Sequence, residues 1–518
     1  MRSDREAPVR MTGGAARLGG IGSPWRRGVL NWTVLAWAVL AWTVAWAVLL
    51  VVIAVSFRPA VPAIWGDTPS FLESAFRTLE AGRLTVAGGR DPGYPAFMAA
   101  TFALGGDLAT VVRLQQAAWV VLMLALALTA QATTRSAGAL VPIILVAMYP
   151  GLLLFRNVIT SELLFAVLLN LATAGLLVAA CVGKTAQCWV VAGAVLCAAL
   201  AACFRSQGAL VPIAAVLVGI WLVRPDTSAR LAVIAVSVAA ALLLLAAGSR
   251  LGASYSDRAS ALFVPKTLFC NHLNIVLASN SARREIMSEA GDRADATMAR
   301  LVADFAAEPG RWPVLGFFGD ACLFDTALDR DVIDDSGNAA GAAAAYRRIF
   351  LAALRDHPLA YARKFLHQMA YGASVAWPPY GLEPAIPVST DDLPVVSDIM
   401  TRHGRVAPPI ELQGGSEGAS VPIGLLSDLP GLSAYLFRAL SAAFVVAVLF
   451  WMVTTVQRRR PGFATRAGIV IVMWAASIAT AAGVHTLDVS RYLIPSVPMV
   501  GLMLSLFAAE LAERWNAL

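Results

Sequence analysis

Acids and arginines of the kind that do group-transfer chemistry fall in five short segments of this chain. Asp67 lies in Trp65-Gly66-Asp67-Thr68-Pro69-Ser70, and Arg90 and Asp91 lie in Gly89-Arg90-Asp91-Pro92-Gly93-Tyr94-Pro95. Arg156-Asn157 precedes Thr160-Ser161-Glu162, and Arg205 sits in Phe204-Arg205-Ser206-Gln207. The last segment reads His485-Thr486-Leu487-Asp488-Val489-Ser490-Arg491-Tyr492. A carboxylate such as Asp67 can accept a proton from an attacking hydroxyl or hold a divalent cation. Arginine grips phosphate oxygens through a planar fork of donors, and His or Tyr adds more. The combination suits a site that holds an anionic group beside a base.

Each residue also has a plain structural use. Asp67 or Thr68 could N-cap a short helix, with Ser70 and Glu73 forming a capping box. Arg90 could be a snorkelling anchor. Glu162 could be an acid at a helix N-terminus, where negative charge is favoured. Asp488 and Arg491 could pair with each other at i,i+3 spacing. Pro92-Gly93-Tyr94-Pro95 reads as a rigid bend that holds Arg90 at headgroup depth.

What must position these residues is set by composition. The chain has 518 residues, of which 58% are hydrophobic and 14% charged. Soluble domains are about half apolar, and crossing a bilayer takes roughly 20 apolar residues. The chain is therefore expected to be an all-α polytopic membrane protein, and the soluble-enzyme classes drop out. About ten spans are expected (nine to thirteen), near 30–57, 108–130, 138–155, 162–181, 186–203, 207–223, 229–248, 431–455, 467–486 and 490–510. Arg26 and Arg27 precede the first run, which is too long for a signal peptide and would stay as a span. Placing them in the cytoplasm puts Arg135, Lys184, Arg224, Arg230 and Arg458, Arg459, Arg460 and Arg466 there too, as positive charge requires. Both termini would be cytoplasmic. The five segments above would then share the opposite, extracytoplasmic face. The net charge of +7 reflects this orientation and does not argue for nucleic acid.

The expected organisation is a disordered cytoplasmic tail (1–25), an N-terminal membrane module (26–248) with a first loop at 58–107, an extracytoplasmic region (249–430), and a C-terminal membrane module (431–518). The large loop is Asp-rich around Asp320–Asp335 and Pro- and Gly-rich from Trp377 to Gly424. Between these, Tyr346–Tyr371 reads as an amphipathic helix pair broken at His357-Pro358, either lying on the membrane surface or facing an ordinary core. Cys270 and Cys322 share this loop and could form a disulfide in an oxidising compartment. Cys181, Cys188, Cys197 and Cys203 fall in or beside spans and read as small apolar residues. No Cys/His spacing suggests zinc.

The acid after the first span, the Pro-Gly-Tyr-Pro return, Thr160-Ser161-Glu162-Leu163-Leu164-Phe165 and Arg491-Tyr492-Leu493-Ile494-Pro495 together resemble the GT-C-fold glycosyltransferases. The similarity is to the bacterial relatives of protein O-mannosyltransferases and of the lipid A aminoarabinose transferase. It covers about residues 30–245 and 430–510, with a loose further likeness at His357-Pro358-Leu359-Ala360-Tyr361. The resemblance implies a GT-C-like bundle in the bacterial inner membrane. It implies a sugar donor carried on a polyprenyl phosphate such as undecaprenyl phosphate, and transfer with inversion to a lipid, glycan or protein acceptor. Asp67 and Glu162 would be the catalytic acids. Arg90, Asp91, Tyr94, Arg156, Arg205, His485, Asp488, Arg491 and Tyr492 would bind substrate. Many relatives carry a second acid beside the first, whereas Asp67 is followed by Thr68-Pro69. A divalent cation (Mg2+ or Mn2+) is compatible with the site, and no other cofactor is implied.

Three rival readings exist. A lipid-linked sugar flippase would need arginines for phosphate too, but along a path near mid-bilayer. A glycan ligase or polymerase would use a diphosphate-linked donor. A structural or assembly protein would have no chemistry.

Overall fold

The computed structural model describes residues 39–54, 62–64, 66–86, 90–223, 235, 258–304, 322–323, 328, 339–374, 392–405, 430–457, 461–484 and 492–517. The chain divides into two units, Met1–Val44 and Ala45–Leu518. Of the first, only the start of an apolar helix, α1 (Val39–Ala54), is described.

The architecture is all-α and polytopic. Among the described residues, six helices are long and apolar enough to cross a membrane, and three shorter apolar ones accompany them. The long helices are α4 (Leu108–Thr134), α7 (Glu162–Ala179), α8 (Lys184–Phe204), α17 (Pro430–Val456), α18 (Pro461–Val484) and α19 (Val497–Ala517). Between them lie α5 (Leu140–Ala147), α6 (Pro150–Phe155) and α9 (Val211–Leu222). Their shared core is apolar and lined with small residues. A Cβ on Gly175 would come within 3.0 Å of the Ala194 Cβ, so α7 and α8 pack backbone to backbone. Outward faces carry Leu128, Trp189, Trp221 and Val446 in the open, as lipid-facing helices do.

Two expectations need correction. The run 138–155 is not one span. It breaks at Tyr149 between α5 and α6, because Pro150 offers no N–H and pushes the residue before it out of the helical region. Pro92-Gly93-Tyr94-Pro95, expected as a rigid bend, is helical from Gly93 onward. It opens α3 (Gly93–Ala103) with Pro92 as N-cap, and Pro95 falls in the first turn, where a missing N–H costs nothing. The span expected at 229–248 lies outside the described residues, apart from helical Ala235.

The connections expected on one face meet at one end of the bundle. Gln207 at the end of α8 donates to the carbonyl of Tyr492, which precedes α19, at 2.7 Å, and to Ser477 of α18 at 3.4 Å. Asn170 of α7 donates to Pro495 at 2.9 Å. The links of the other set meet at the opposite end. There Arg466 of α18 donates to the Thr133 carbonyl of α4, and Gln187 of α8 donates to Ala179 of α7 at 2.9 Å.

The first loop folds into α2 (Thr68–Ala81) and α3, which close a second core with the start of α4. Within residues 249–430 every described segment is helical. Helices α10 (Arg258–Cys270), α11 (Leu273–Ala278), α12 (Asn280–Ala290), α13 (Ala294–Asp304), α14 (Ala339–Asp356) and α15 (Pro358–Tyr371) are followed by α16 (Asp392–Arg402). The helix pair and its break at His357 stand as the periodicity predicts. Cys270 and Cys322 form a disulfide inside the core shared by α10, α12 and α14. Helix α16 falls in the stretch expected to be a Pro- and Gly-rich loop. It does not join that core; Val396, Ile399 and Met400 pack against the first-loop helices instead.

Candidate functional site

The segment carrying Asp67 is stitched to the segment carrying Glu162. Ala63 N–H donates to the Asn157 carbonyl, and Ile159 N–H donates to the Ala63 carbonyl, each at 3.0 Å. The Thr68 hydroxyl, fully buried, adds a bond to the Ile159 carbonyl at 3.0 Å. Gln115 and Gln116 of α4 hold the same segment from below. Gln115 donates to Val158 at 2.9 Å and Gln116 to the Asn157 side chain at 2.8 Å. Two loops about 90 residues apart thus become one surface.

Asp67 occupies the N-cap position of α2, but its side chain caps nothing. The capping-box reading fails, since Glu73 pairs with Arg77 at 2.9 Å. The Asp67 carboxylate instead meets Arg90 Nη2 at 2.7 Å. The Arg90 guanidinium is held by Ser70 Oγ at 2.7 Å and lies 5.4 Å over the Phe71 ring. Both ends of this ion pair are partly open to solvent. The acid is therefore oriented by a fixed partner, yet reachable from outside.

Asp91 continues the row. Its Oδ2 accepts the Ser206 N–H at 2.7 Å. Burial pushes its carboxyl up from the usual range, opposed by the Ser206 bond and by Arg205 and Arg90. The approach depends on Gly93. A Cβ there would lie 2.8 Å from the Cys203 carbonyl oxygen and 2.8 Å from Phe204 Cδ2, so α3 closes on α8 only without a side chain.

Arg205 ends the row. It pairs with Glu162 and lies 5.1 Å over the Tyr492 ring. The Glu162 side chain is 1% exposed and that of Arg205 12%. Glu162 is thus a carboxylate beneath the surface that anchors an arginine, not one that faces an incoming hydroxyl. From one side to the other the order is Asp67, Arg90, Asp91, Arg205, Glu162, with Tyr492 against Arg205. Charges of opposite sign alternate along the row, with Arg90 fixed by Asp67 and Ser70 and Arg205 by Glu162.

Tyr94 and Arg156 stand apart from this row. Tyr94 is fully buried and donates to Gln115 Oε1 at 2.6 Å. Its phenol is pushed well up by burial and then by the charge of Glu162. Arg156 is buried against the Trp119 ring at 5.4 Å. Both support the loops from within. His485, Asp488 and Arg491 lie outside the described residues. Among the described residues no group of three or more His, Cys, Asp or Glu side chains could hold a metal ion.

Sequence reading missed the clamp next to this site. Three side chains of the large loop reach the last carbonyls of α18, which have no partner within that helix. Lys364 donates to Ala482 at 3.2 Å, Tyr361 to Gly483 at 3.2 Å, and Asn271 to Val484 at 3.4 Å. Lys364 Nζ also lies 3.1 Å from His272 Nε2, whose Nδ1 meets the Leu268 carbonyl at 2.7 Å. A carbonyl at Nδ1 and an ammonium at Nε2 demand a neutral ring. Burial, and then Lys364, pull the His272 pKa down from 6.5 to about 3. The only signal in the sequence was polarity at helical spacing, which does not name a partner.

Protonation of His272 opposes folding. The folded value lies below the unfolded one, so the contribution is complete above about pH 6.5 and is lost as pH falls toward 3. Between about pH 7 and about pH 4.5 the protein should lose about 2–3 kcal/mol that a His272→Gln variant does not lose. Thermal midpoints in detergent across that range measure it; equal pH slopes for the two proteins would refute the assignment.

The sequence matches no protein-family profile and no curated protein. Two solved structures are similar to the chain. ArnT from Cupriavidus metallidurans in the apo state is 12% identical, over 91% of this chain and 78% of that one, with a TM-score of 0.30. ArnT from Cupriavidus metallidurans bound to undecaprenyl phosphate is 11% identical, over 92% and 79%, with a TM-score of 0.31.

Proposed function

We propose that this chain is a GT-C-type membrane glycosyltransferase. It takes a sugar from a polyprenyl phosphate, such as undecaprenyl phosphate, and passes it with inversion to a lipid, glycan or protein acceptor. The reaction takes place on the extracytoplasmic face of a bacterial inner membrane, and both termini are cytoplasmic. The observation that carries this reading is the row of alternating acids and guanidinium groups from Asp67 to Glu162, built at one end of an apolar helix bundle. A lipid-borne anion reaches such a rim from the side, with its tail among the helices.

In this mechanism Asp67 accepts the proton of the acceptor hydroxyl as its oxygen attacks the anomeric carbon. The bond from that carbon to the phosphate oxygen breaks on the opposite side, and the electron pair leaves with the lipid phosphate. Arg90 and Arg205 meet the growing negative charge as donors already fixed in place, so little reorganisation is needed as the bond breaks. Asp67 and Ser70 hold Arg90, Glu162 holds Arg205, and Asp91 ties the Arg205 segment to the first loop through Ser206. Tyr492 backs Arg205, His485 and Arg491 add donors, and Asp488 adds an acceptor for Arg491 or a sugar hydroxyl. Tyr94 and Arg156 support the loops beneath.

The charge row lies at a bundle end, which favours surface chemistry over a path through mid-bilayer. The test uses the purified chain in vesicles with undecaprenyl-phosphate and undecaprenyl-diphosphate sugars, hexose and pentose, and an envelope extract as acceptor. Free undecaprenyl phosphate should appear from the monophosphate donors only. Release from diphosphate donors would point to a ligase or polymerase. Donor crossing the bilayer without cleavage would point to a flippase. Mass spectrometry of envelope lipids and glycans from a deletion strain then identifies the sugar that is lost.

A further inference from the structure

Helix α15 is inside out. A helix on the surface of a water-soluble domain buries leucine and exposes lysine. In α15 the Lys364 side chain is 7% exposed and Gln368 0%, while Leu359 is 83% exposed and Leu366 65%. Leu359, Arg363, Leu366 and Ala370 recur at steps of four, three and four residues, so they form one stripe. All four are exposed. Lys364, Gln368 and Tyr361 lie on the opposite side.

Depth in the membrane comes from what the polar side touches. Lys364 and Tyr361 bond to the Ala482 and Gly483 carbonyls in the last turn of α18, a helix long and apolar enough to cross the bilayer. A Cβ on Gly372, just beyond α15, would collide with Ile478 of the same helix. The end of a membrane-crossing helix lies at the boundary between acyl chains and headgroups. The outward face of α15 is therefore held at that boundary. Its chemistry matches: apolar Leu359 and Leu366 suit acyl chains, and exposed Arg363 and His367 beside them suit anionic headgroups.

We infer that α15 is an interfacial helix, with its Leu359–Leu366 face embedded in the outer edge of an anionic lipid bilayer. The polar side of the helix is used to cap α18, so the loop region is tied at once to the bundle and to the membrane surface. This inference does not depend on glycosyl transfer and survives if that activity is absent.

Spin labels test it on the full chain. Cys181, Cys188, Cys197 and Cys203 are replaced by alanine, and the Cys270–Cys322 disulfide is kept. Labels are placed singly through Leu359→Cys, Leu366→Cys and, as an aqueous reference, Ser288→Cys on the exposed side of α12. The protein is reconstituted in phosphatidylethanolamine and phosphatidylglycerol vesicles. Oxygen, which concentrates in lipid, should relax labels 359 and 366 several-fold more, relative to a water-soluble nickel chelate, than it does label 288. A nickel response at 359 and 366 equal to that at 288 would place the face in water. Protection from both reagents would mean that a protein covers it. Either result overturns the inference.

Discussion

Asp67→Asn is expected to lower sugar transfer by about 10²–10⁴-fold while the protein inserts and folds as before, because a positioned base contributes about that much to proton transfer. Asn keeps the shape and can still accept a hydrogen bond from Arg90, but it cannot take a proton. The side chain caps no helix end, so the change removes no cap from α2. The 2.7 Å contact with Arg90 loses its charge but not its geometry. Initial rates with the monophosphate donor, beside thermal midpoints in detergent, separate the two effects. Transfer within a few-fold of the original would remove Asp67 from the mechanism. A large fall in midpoint would mean that its role is to hold the first loop.

The second large effect is expected at Arg205. Arg205→Met leaves Glu162 charged beneath the surface without its partner, and breaking a buried pair in this way costs about 3–5 kcal/mol. Changing both residues, Arg205→Met with Glu162→Gln, removes the stranded charge and should restore most of the stability. Transfer should stay low in the double variant, since the guanidinium that meets the lipid phosphate is still missing. The contrast distinguishes a structural salt bridge from a binding group. Stability regained together with full transfer would show that the pair only holds α7 to α8. The Tyr492 ring offers a further reading: Tyr492→Leu removes the cation–π contact with Arg205 and is expected to act mainly through KM.

The two predictions differ because the two acids differ. As amino acids in a sequence, Asp67 and Glu162 looked alike, each an acid just outside an apolar run. Packing separates them. Asp67 stands at the rim beside a half-open arginine, whereas Glu162 lies under Arg205. Backbone bonds between Ala63, Asn157 and Ile159 set that relation, and bonds between backbone atoms leave no trace in side-chain identity.

Much else was legible from the residues alone. Among the described residues most apolar runs of bilayer length are helices, 138–155 with a break, because a backbone in lipid must satisfy its own hydrogen bonds. Charge placement between the runs sorted the connections into two sets, and among the described residues bonds join members of one set to each other, as Gln207 to Tyr492, and members of the other, as Arg466 to Thr133. The helix pair around His357 was also visible; Cys270 and Cys322 stood in one loop, and the fold decides that they pair. These are local properties: a period, a length, a proline, two cysteines in one loop. What residues 249–430 touch is not local. Helix α16 covers the first loop, while Lys364, Tyr361 and Asn271 close the end of α18. A lysine at helical spacing reads the same whether it faces water or a carbonyl. Only the fold decides which, because the partner is a main-chain oxygen more than a hundred residues away.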